Sequence, residues 1–365
     1  VTESYDVAVI GGGPAGSAAA LTLRGHAPAL SVVVLESGRY DRVKPGEVLP
    51  ALAGSVIDQL GIRSAFDAES FVPARAMVSA WTGPEAIERH SIFSAAGHGW
   101  HLDRQRFDRL LGEAAAVRGA DLRLGRSVRT VTATTDGWQL VLPGEVAIQA
   151  RLLIWATGRS WPLARRLGAA VRVHEQRTAY MRYFRCGPSE GTTMIEARPE
   201  GWWYTADLPR EGRVVACITD PPTGRRLRLG SADGWRRALG ETRYIAAALG
   251  DDSVETGAMA RAAGTVTLDP VCGPGWFAAG DSAFAPDPLS AQGLVRALRS
   301  GIFAAYAASD SLHGGAEESR ARFSALAELD VAAYLEALHK HYADVGQYAD
   351  QPFWKGMQPD RRQVA

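Results

Sequence analysis

Two kinds of hydrophobic pattern divide this chain. Residues 5–10 pass from Tyr5 and Asp6 into Val7, Ala8, Val9 and Ile10, an apolar run of the kind a strand covered on both faces carries. Gly11-Gly12-Gly13-Pro14-Ala15-Gly16 follows, and then Ser17-Ala18-Ala19-Ala20-Leu21, which predicts a tight turn opening a helix. Further apolar runs at 31–36 and 152–158 read as parallel strands of the same sheet, ending in Glu36 and Gly158. From 171 to 265 apolar and polar residues alternate, through Tyr180, Met181 and Arg182, then Thr193 to Ala197, then Val214 to Ile218, with turn signals between them. An antiparallel sheet fits that alternation better than further strand–helix–strand units. Within it, Trp202 and Tyr204 share one face of a strand and Trp203 takes the other.

Between these regions the pattern is more broken. Residues 44–50 hold two prolines and a glycine around Glu47 and read as a stiff loop, in which Glu47 is either a site acid or an anchor for the loop. Residues 51–60 have helical spacing ended by Gly61, and 74–92 read as short strands broken at Trp81-Thr82-Gly83-Pro84, with Trp81 a core residue rather than part of a substrate cage. Phe107, Leu110, Leu111 and Ala114 share one helical face behind Arg104, and 127–132 and 138–142 read as strands. Helices fill the chain to about 348, and the tail from Gln351 reads as extended. The expected architecture is α/β: a Rossmann-like nucleotide-binding domain from 1–170 and 266–310 with small β insertions around 71–100, an inserted antiparallel substrate domain at 171–265, and C-terminal helices and tail at 311–365.

The glycine turn carries the first chemical signal. Gly11, Gly13 and Gly16 stand at G-x-G-x-x-G spacing after a strand and at the start of a helix. Gly11 permits the turn, Gly13 lets backbone N–H groups approach a pyrophosphate and Gly16 lets helix and strand pack closely, with Pro14 and Ala15 opening the helix toward the phosphates. Glu36, about twenty residues on, suits a ribose, and Ser37 begins a loop on the adenosine side. Arg104 at a helix start suits a pyrophosphate. Late in the chain, Gly280-Asp281 ends a short buried strand, and Pro288 leads through Gln292, Gly293 and Leu294 into a helix whose N-terminus can face a flavin carbonyl. Paired with the opening stretch, this second segment favours FAD over NAD. Val128 is counted among the cofactor contacts.

Composition narrows the classes. The 365 residues carry 40 Lys+Arg against 40 Asp+Glu, so no global field favours nucleic acid or an anionic membrane. Cys186, Cys217 and Cys272 lack metal-ligand or disulfide spacing, so no metal is expected, and buried thiols suit a reducing cytoplasm. No long apolar span or leader-like segment is present, and a cytoplasmic location is expected.

Together, the glycine turn with Glu36, the Ala156-Thr157-Gly158 strand end and the Gly280-Asp281 to Gly293 segment resemble the FAD-binding fold shared by para-hydroxybenzoate hydroxylase-type monooxygenases, geranylgeranyl reductases and flavin-dependent halogenases. The Gly46 to Pro50 loop, Leu102-Asp103-Arg104, the Gly201 to Tyr204 strand and Pro352-Phe353-Trp354 are similar to the halogenase-like branch. Halogenases of that branch carry a lysine beyond the Gly46–Glu47 loop. This chain has none between Lys44 and Lys340 and offers Arg75 in the matching region, so halogenation is disfavoured. The chain looks most like flavoproteins that mature tryptophylquinone cofactors by hydroxylating a tryptophan of a partner protein. That resemblance implies a monooxygenase using FAD, O2, and NAD(P)H or a partner reductase as electron source, acting on an electron-rich aromatic, whether a small molecule or a partner-protein side chain, through a flavin C4a-hydroperoxide. Glu47, His98 and Trp202 are the catalytic candidates, with His101 and His174 as further proton-transfer candidates. The alternatives are a reductase of geranylgeranyl reductase type and a non-catalytic FAD-binding maturation partner.

Overall fold

A computed structural model describes residues 3–144, 147–188, 190–250 and 253–356. Its first layer is a sheet whose parallel strands run in the spatial order Trp276–Ala278, Ala147–Trp155, Glu3–Ile10, Val32–Glu36 and Asp121–Leu124. Ile10 lies beside Trp155 and Trp155 beside Ala278, so the chain leaves three adjacent strands at one level. Val7, Val9, Val34 and Ile154 are buried on one side of this sheet, and Ala8, Val33, Leu153 and Trp155 on the other. That two-sided burial is why these strands read as unbroken apolar runs. A hairpin, Thr130–Thr134 with Gly137–Val141, extends the sheet along the early part of Ala147–Trp155. It begins a little later than the expected strand at 127–132.

Two helices cover one face. Pro14–His26 packs against Gly293–Leu312 so closely that a Cβ on Gly301 would stand 2.1 Å from the Ala15 carbonyl oxygen. The alanines of the first helix and the small residues of the second permit that approach.

The second layer is a seven-stranded sheet in the order Val254–Ala262, Thr178–Arg185, Gly212–Thr219, Gly201–Leu208, Thr192–Arg198, Ala76–Ala80 and Ile87–His90. All neighbours are antiparallel except Thr192–Arg198 with Ala76–Ala80. The alternating segment therefore forms the antiparallel sheet its pattern predicts, joined by a hairpin from residues 76–90. The predicted faces also hold: Trp202 packs with Trp81 and Tyr342, while Trp203 packs on the opposite side with Trp235.

Three regions differ from the sequence reading. Helices Pro221–Arg226, Ala232–Gly240 and Tyr244–Leu249 interrupt the alternating segment; Asp220 and Ser231 cap the first two with side-chain hydrogen bonds to Thr223 N–H and Gly234 N–H. Within the expected loop at 44–50, Val48–Leu49 pairs with Gly99–His101 as a short strand. The tail is not extended from Gln351: Pro352–Lys355 is a helical turn started by proline, and it buries Phe353 and Trp354 against Trp81 and Tyr342. The remainder of the expected tail, 357–365, lies outside the described residues.

Candidate functional site

The carboxyl ends of the parallel strands and one face of the antiparallel sheet enclose a cleft of about 940 Å³. On the parallel-sheet side, the glycine turn is shaped by contacts that leave no room for side chains at two of its three positions. Gly11 has φ +106°, and a Cβ there would lie 2.2 Å from the Ala156 carbonyl oxygen. A Cβ on Gly16 would lie 1.9 Å from the Gly11 carbonyl oxygen, the close helix–strand packing expected of it. At Gly13 an added Cβ meets nothing within 4 Å, because this residue borders the cleft. Gly13 caps the helix with no side-chain hydrogen bond. The first-turn N–H groups are thus left to an anionic ligand, at the positive end of the helix dipole.

Glu36 is held rigidly at the end of its strand. One carboxylate oxygen accepts from Gly12 N–H at 2.8 Å and the other from Gly38 N–H at 2.7 Å. Glu36 and Ser37 both line the cleft, as do Pro14, Ala15 and Val128. Arg104 also lines it, from the first turn of Arg104–Val117, where Asp103 caps the helix through Gln105 and Arg106 N–H. Its guanidinium donates to the Pro45 carbonyl and pairs with buried Asp108 at 3.1 Å, while Lys44 reaches the same carboxylate at 2.8 Å.

Across the cleft, Gly280 turns with φ +63° and Asp281 stands half-buried beside Arg159 at 3.3 Å. Burial holds the Asp281 carboxyl above its ordinary range, against the opposing pull of Arg159. Pro288, Gly293 and Leu294 line the same wall, and a Cβ on Gly293 would meet only Pro286, at 3.9 Å. Gln292 is exposed, turns back to Arg296 at 3.2 Å and does not line the cleft. Gly16 also stays off the cleft wall, acting through packing alone.

This geometry fits FAD. An open glycine edge at a helix N-terminus suits a pyrophosphate, the fixed carboxylate at the second strand end suits a ribose, and a second helix start faces the far end of the cleft.

The antiparallel sheet supplies the other half of the cavity. Ala179, Met181, Ile195, Trp202, Tyr204 and Ala216 give it a wall that is apolar and aromatic, with alanines leaving room for a planar group. Trp202 is buried and donates its indole N–H to the Tyr342 hydroxyl at 2.9 Å, which in turn donates to the Asp287 carboxylate at 2.9 Å. Burial raises the Asp287 carboxyl to about 6. Trp81 packs behind Trp202 and donates to the His341 carbonyl at 2.7 Å, a core role as expected.

Glu47 faces the cleft from the loop before Val48. Its carboxyl accepts from the Tyr183 hydroxyl at 3.0 Å and from Gly46 N–H at 2.9 Å, and burial pushes its pKa up. It anchors the loop and also lies on the cleft wall. The histidines fare differently. His98 is exposed and off the cleft; its Nδ1 lies 2.8 Å from the Gly99 carbonyl and its ring packs edge-on to Trp100. His174 is exposed, 3.0 Å from the Thr267 hydroxyl. His101 is fully buried behind Thr193, 2.8 Å from its hydroxyl, with a pKa lowered by burial to about 4, so it stays neutral. Tyr183 escaped the sequence reading because it meets Glu47 across 136 residues. Arg159 had a local signal, standing directly after the Thr157-Gly158 strand end.

Residues 4–323 match the model of a family described as FAD binding domain. The chain is 32% identical over 311 residues to "Putative FAD-dependent oxidoreductase LodB" of Marinomonas mediterranea, covering 82% of this chain and 83% of the relative. Among solved structures it is similar to the myxobacterial chondrochloren halogenase CndH, a variant of FAD-dependent halogenases, with a TM-score of 0.90 and 21% identity over 99% of this chain and 87% of that one. It is also similar to the peptidyl tryptophan dihydroxylase QhpG, essential for tryptophylquinone cofactor biogenesis, with a TM-score of 0.80 and 23% identity over 98% of this chain and 80% of that one.

Proposed function

The chain belongs to the FAD binding domain family and is an FAD-dependent oxidoreductase, and on that premise we propose that it is a monooxygenase that hydroxylates an electron-rich aromatic ring, a tryptophan side chain of a partner polypeptide. The observation that carries this reading is the second half of the cleft: an apolar, aromatic-walled cavity continuous with the dinucleotide cradle, with the buried acid Glu47 on its wall. The tryptophan-directed activity named for QhpG supports the choice of substrate.

The residues that hold FAD in this reading are Gly13, Ala15, Glu36, Arg104, Asp281 and Gly293. Bound there, FAD supplies two-electron redox chemistry and, once reduced, the means to activate dioxygen. NAD(P)H or a partner reductase provides the electrons.

The protein's own contribution is positional and protic. Trp202 and Tyr204 present faces and edges against which an indole can lie, and the wall of alanine, methionine and isoleucine keeps water from the reacting ring. Glu47 keeps a proton at its carboxyl to higher pH than an exposed glutamate does, and the Tyr183 hydroxyl and Gly46 N–H fix the direction in which that carboxyl points. Halogenation finds less support. Among the described residues, the lysine lining the cleft is Lys44, which is engaged by Asp108 at 2.8 Å.

Oxygen-electrode measurements with the FAD-loaded protein test the proposal. Consumption that rises with a tryptophan-containing peptide, in proportion to hydroxylated product, is expected. Saturation of a substrate double bond without oxygen uptake would establish the reductase alternative instead.

A further inference from the structure

The mouth of the cleft carries apolar and cationic groups that the oxidation chemistry leaves unused. Strand Ile87–His90 forms an edge of the seven-stranded sheet, and all of its residues are exposed. It runs directly into the short helical turn Ser91–Phe93, where Ile92 is 84% and Phe93 87% exposed. Ser91 and Ser94, on either side of that apolar pair, line the cleft, so the pair stands at its rim. Ser91 N–H donates to the Arg75 carbonyl at 2.8 Å, which ties the turn to the neighbouring strand. Met77 and Ile87, on the same hairpin, are also exposed, at 37% and 53%. Adjacent exposed apolar side chains of this size mark an interaction surface rather than an ordinary solvated face.

Arginine dominates the charge at this rim. Arg75 and Arg89 line the cleft here and are exposed, and among the described residues no carboxylate lies within ion-pair distance of either. Glu88, the acid on the edge strand, is 3.2 Å from His90. Unpartnered cations around an apolar anchor steer and orient an anionic partner.

We propose that the rim formed by Arg75, Arg89, Ile92 and Phe93 docks an acidic polypeptide segment, laid along the Ile87–His90 edge, that delivers its aromatic side chain into the cleft. The unpaired strand edge offers backbone hydrogen bonds to an extended chain, Ile92 and Phe93 offer an apolar anchor, and the arginines select flanking aspartate and glutamate. This inference rests on the reading that the cleft oxidises an aromatic ring carried on a polypeptide.

Fluorescence anisotropy with the full-length, FAD-loaded protein tests it, using two labelled tryptophan-containing peptides, one flanked by aspartate and glutamate and one by lysine. The acidic peptide is expected to bind about tenfold more tightly at low ionic strength, with the advantage shrinking as salt is added. The double substitution Arg75→Glu with Arg89→Glu is expected to remove that preference while FAD content and circular dichroism stay unchanged. Phe93→Ser is expected to weaken both peptides several-fold and to leave oxidation of N-acetyltryptophanamide unaltered. Equal binding of the two peptides, or an acidic preference that survives the arginine substitutions, would overturn the docking surface. A charge preference that responds as expected, with neither peptide nor amide oxidised, would uphold the surface and overturn the oxidation reading.

Discussion

The indole N–H of Trp202 donates to the hydroxyl of Tyr342 at 2.9 Å, joining a wall of the cleft to a helix 140 residues further along the chain. Both groups are buried, so the bond fixes the face that Trp202 shows to the cavity. Tyr342→Phe leaves the Trp202 N–H and one Asp287 oxygen without their partner, at a cost of about 1–3 kcal/mol. Urea unfolding is expected to show that loss as a lower midpoint at unchanged slope.

Asp287 makes stability depend on pH in a defined window. Its pKa is raised from 3.8 to about 6 by burial, so the native state binds this proton more tightly than the unfolded chain does. The associated stabilisation is present in full below about pH 4 and is lost as pH rises through about 6, a change on the order of 3 kcal/mol. Asp287→Asn keeps an acceptor for Leu289 N–H and removes the titration. Relative to the wild type, this variant is expected to gain stability between pH 4 and pH 7 in denaturant titrations.

The glycine turn predicts two different failures. Gly13→Val adds a side chain facing open cleft, so the protein should fold normally and lose bound FAD, read as the flavin-to-protein ratio after gel filtration. Gly11→Val places a branched side chain at φ +106° with its Cβ 2.2 Å from the Ala156 carbonyl, so it should fail to accumulate as folded protein. Full flavin retention in Gly13→Val would remove Gly13 from the cofactor site.

Glu47→Gln keeps the size of the side chain and an acceptor for Tyr183 while removing the exchangeable acid. Turnover is expected to fall about 10²-fold with bound FAD unchanged. The pH–rate profile should lose the limb belonging to a carboxyl raised above its ordinary value. A purely structural Glu47 would leave the shape of that profile intact.

What was legible in the sequence was what lies close together along it. Gly11, Gly13, Gly16 and Glu36 act within one strand–helix–strand unit, and their spacing alone implies their placement. Trp202, Trp203 and Tyr204 fall on the expected faces because side chains alternate along a strand. The pairings that shape the antiparallel half of the cleft, Glu47 with Tyr183 and Trp202 with Tyr342, join residues more than a hundred positions apart and leave no local trace. His98 shows the converse. Gly97 and Gly99 line the cleft, yet the ring between them turns outward onto Trp100. The C-terminal helical turn was hidden for a similar reason, since its burial depends on Trp81 and Tyr342.

The most direct test of the oxygenation claim is mass spectrometry of the product formed from a tryptophan-containing peptide by the FAD-loaded protein and a reductant under isotopically labelled dioxygen. Incorporation of labelled oxygen into the indole, dependent on the reductant and abolished by Gly13→Val, is the predicted result. Oxygen derived from water, or a product formed equally well without dioxygen, would contradict it.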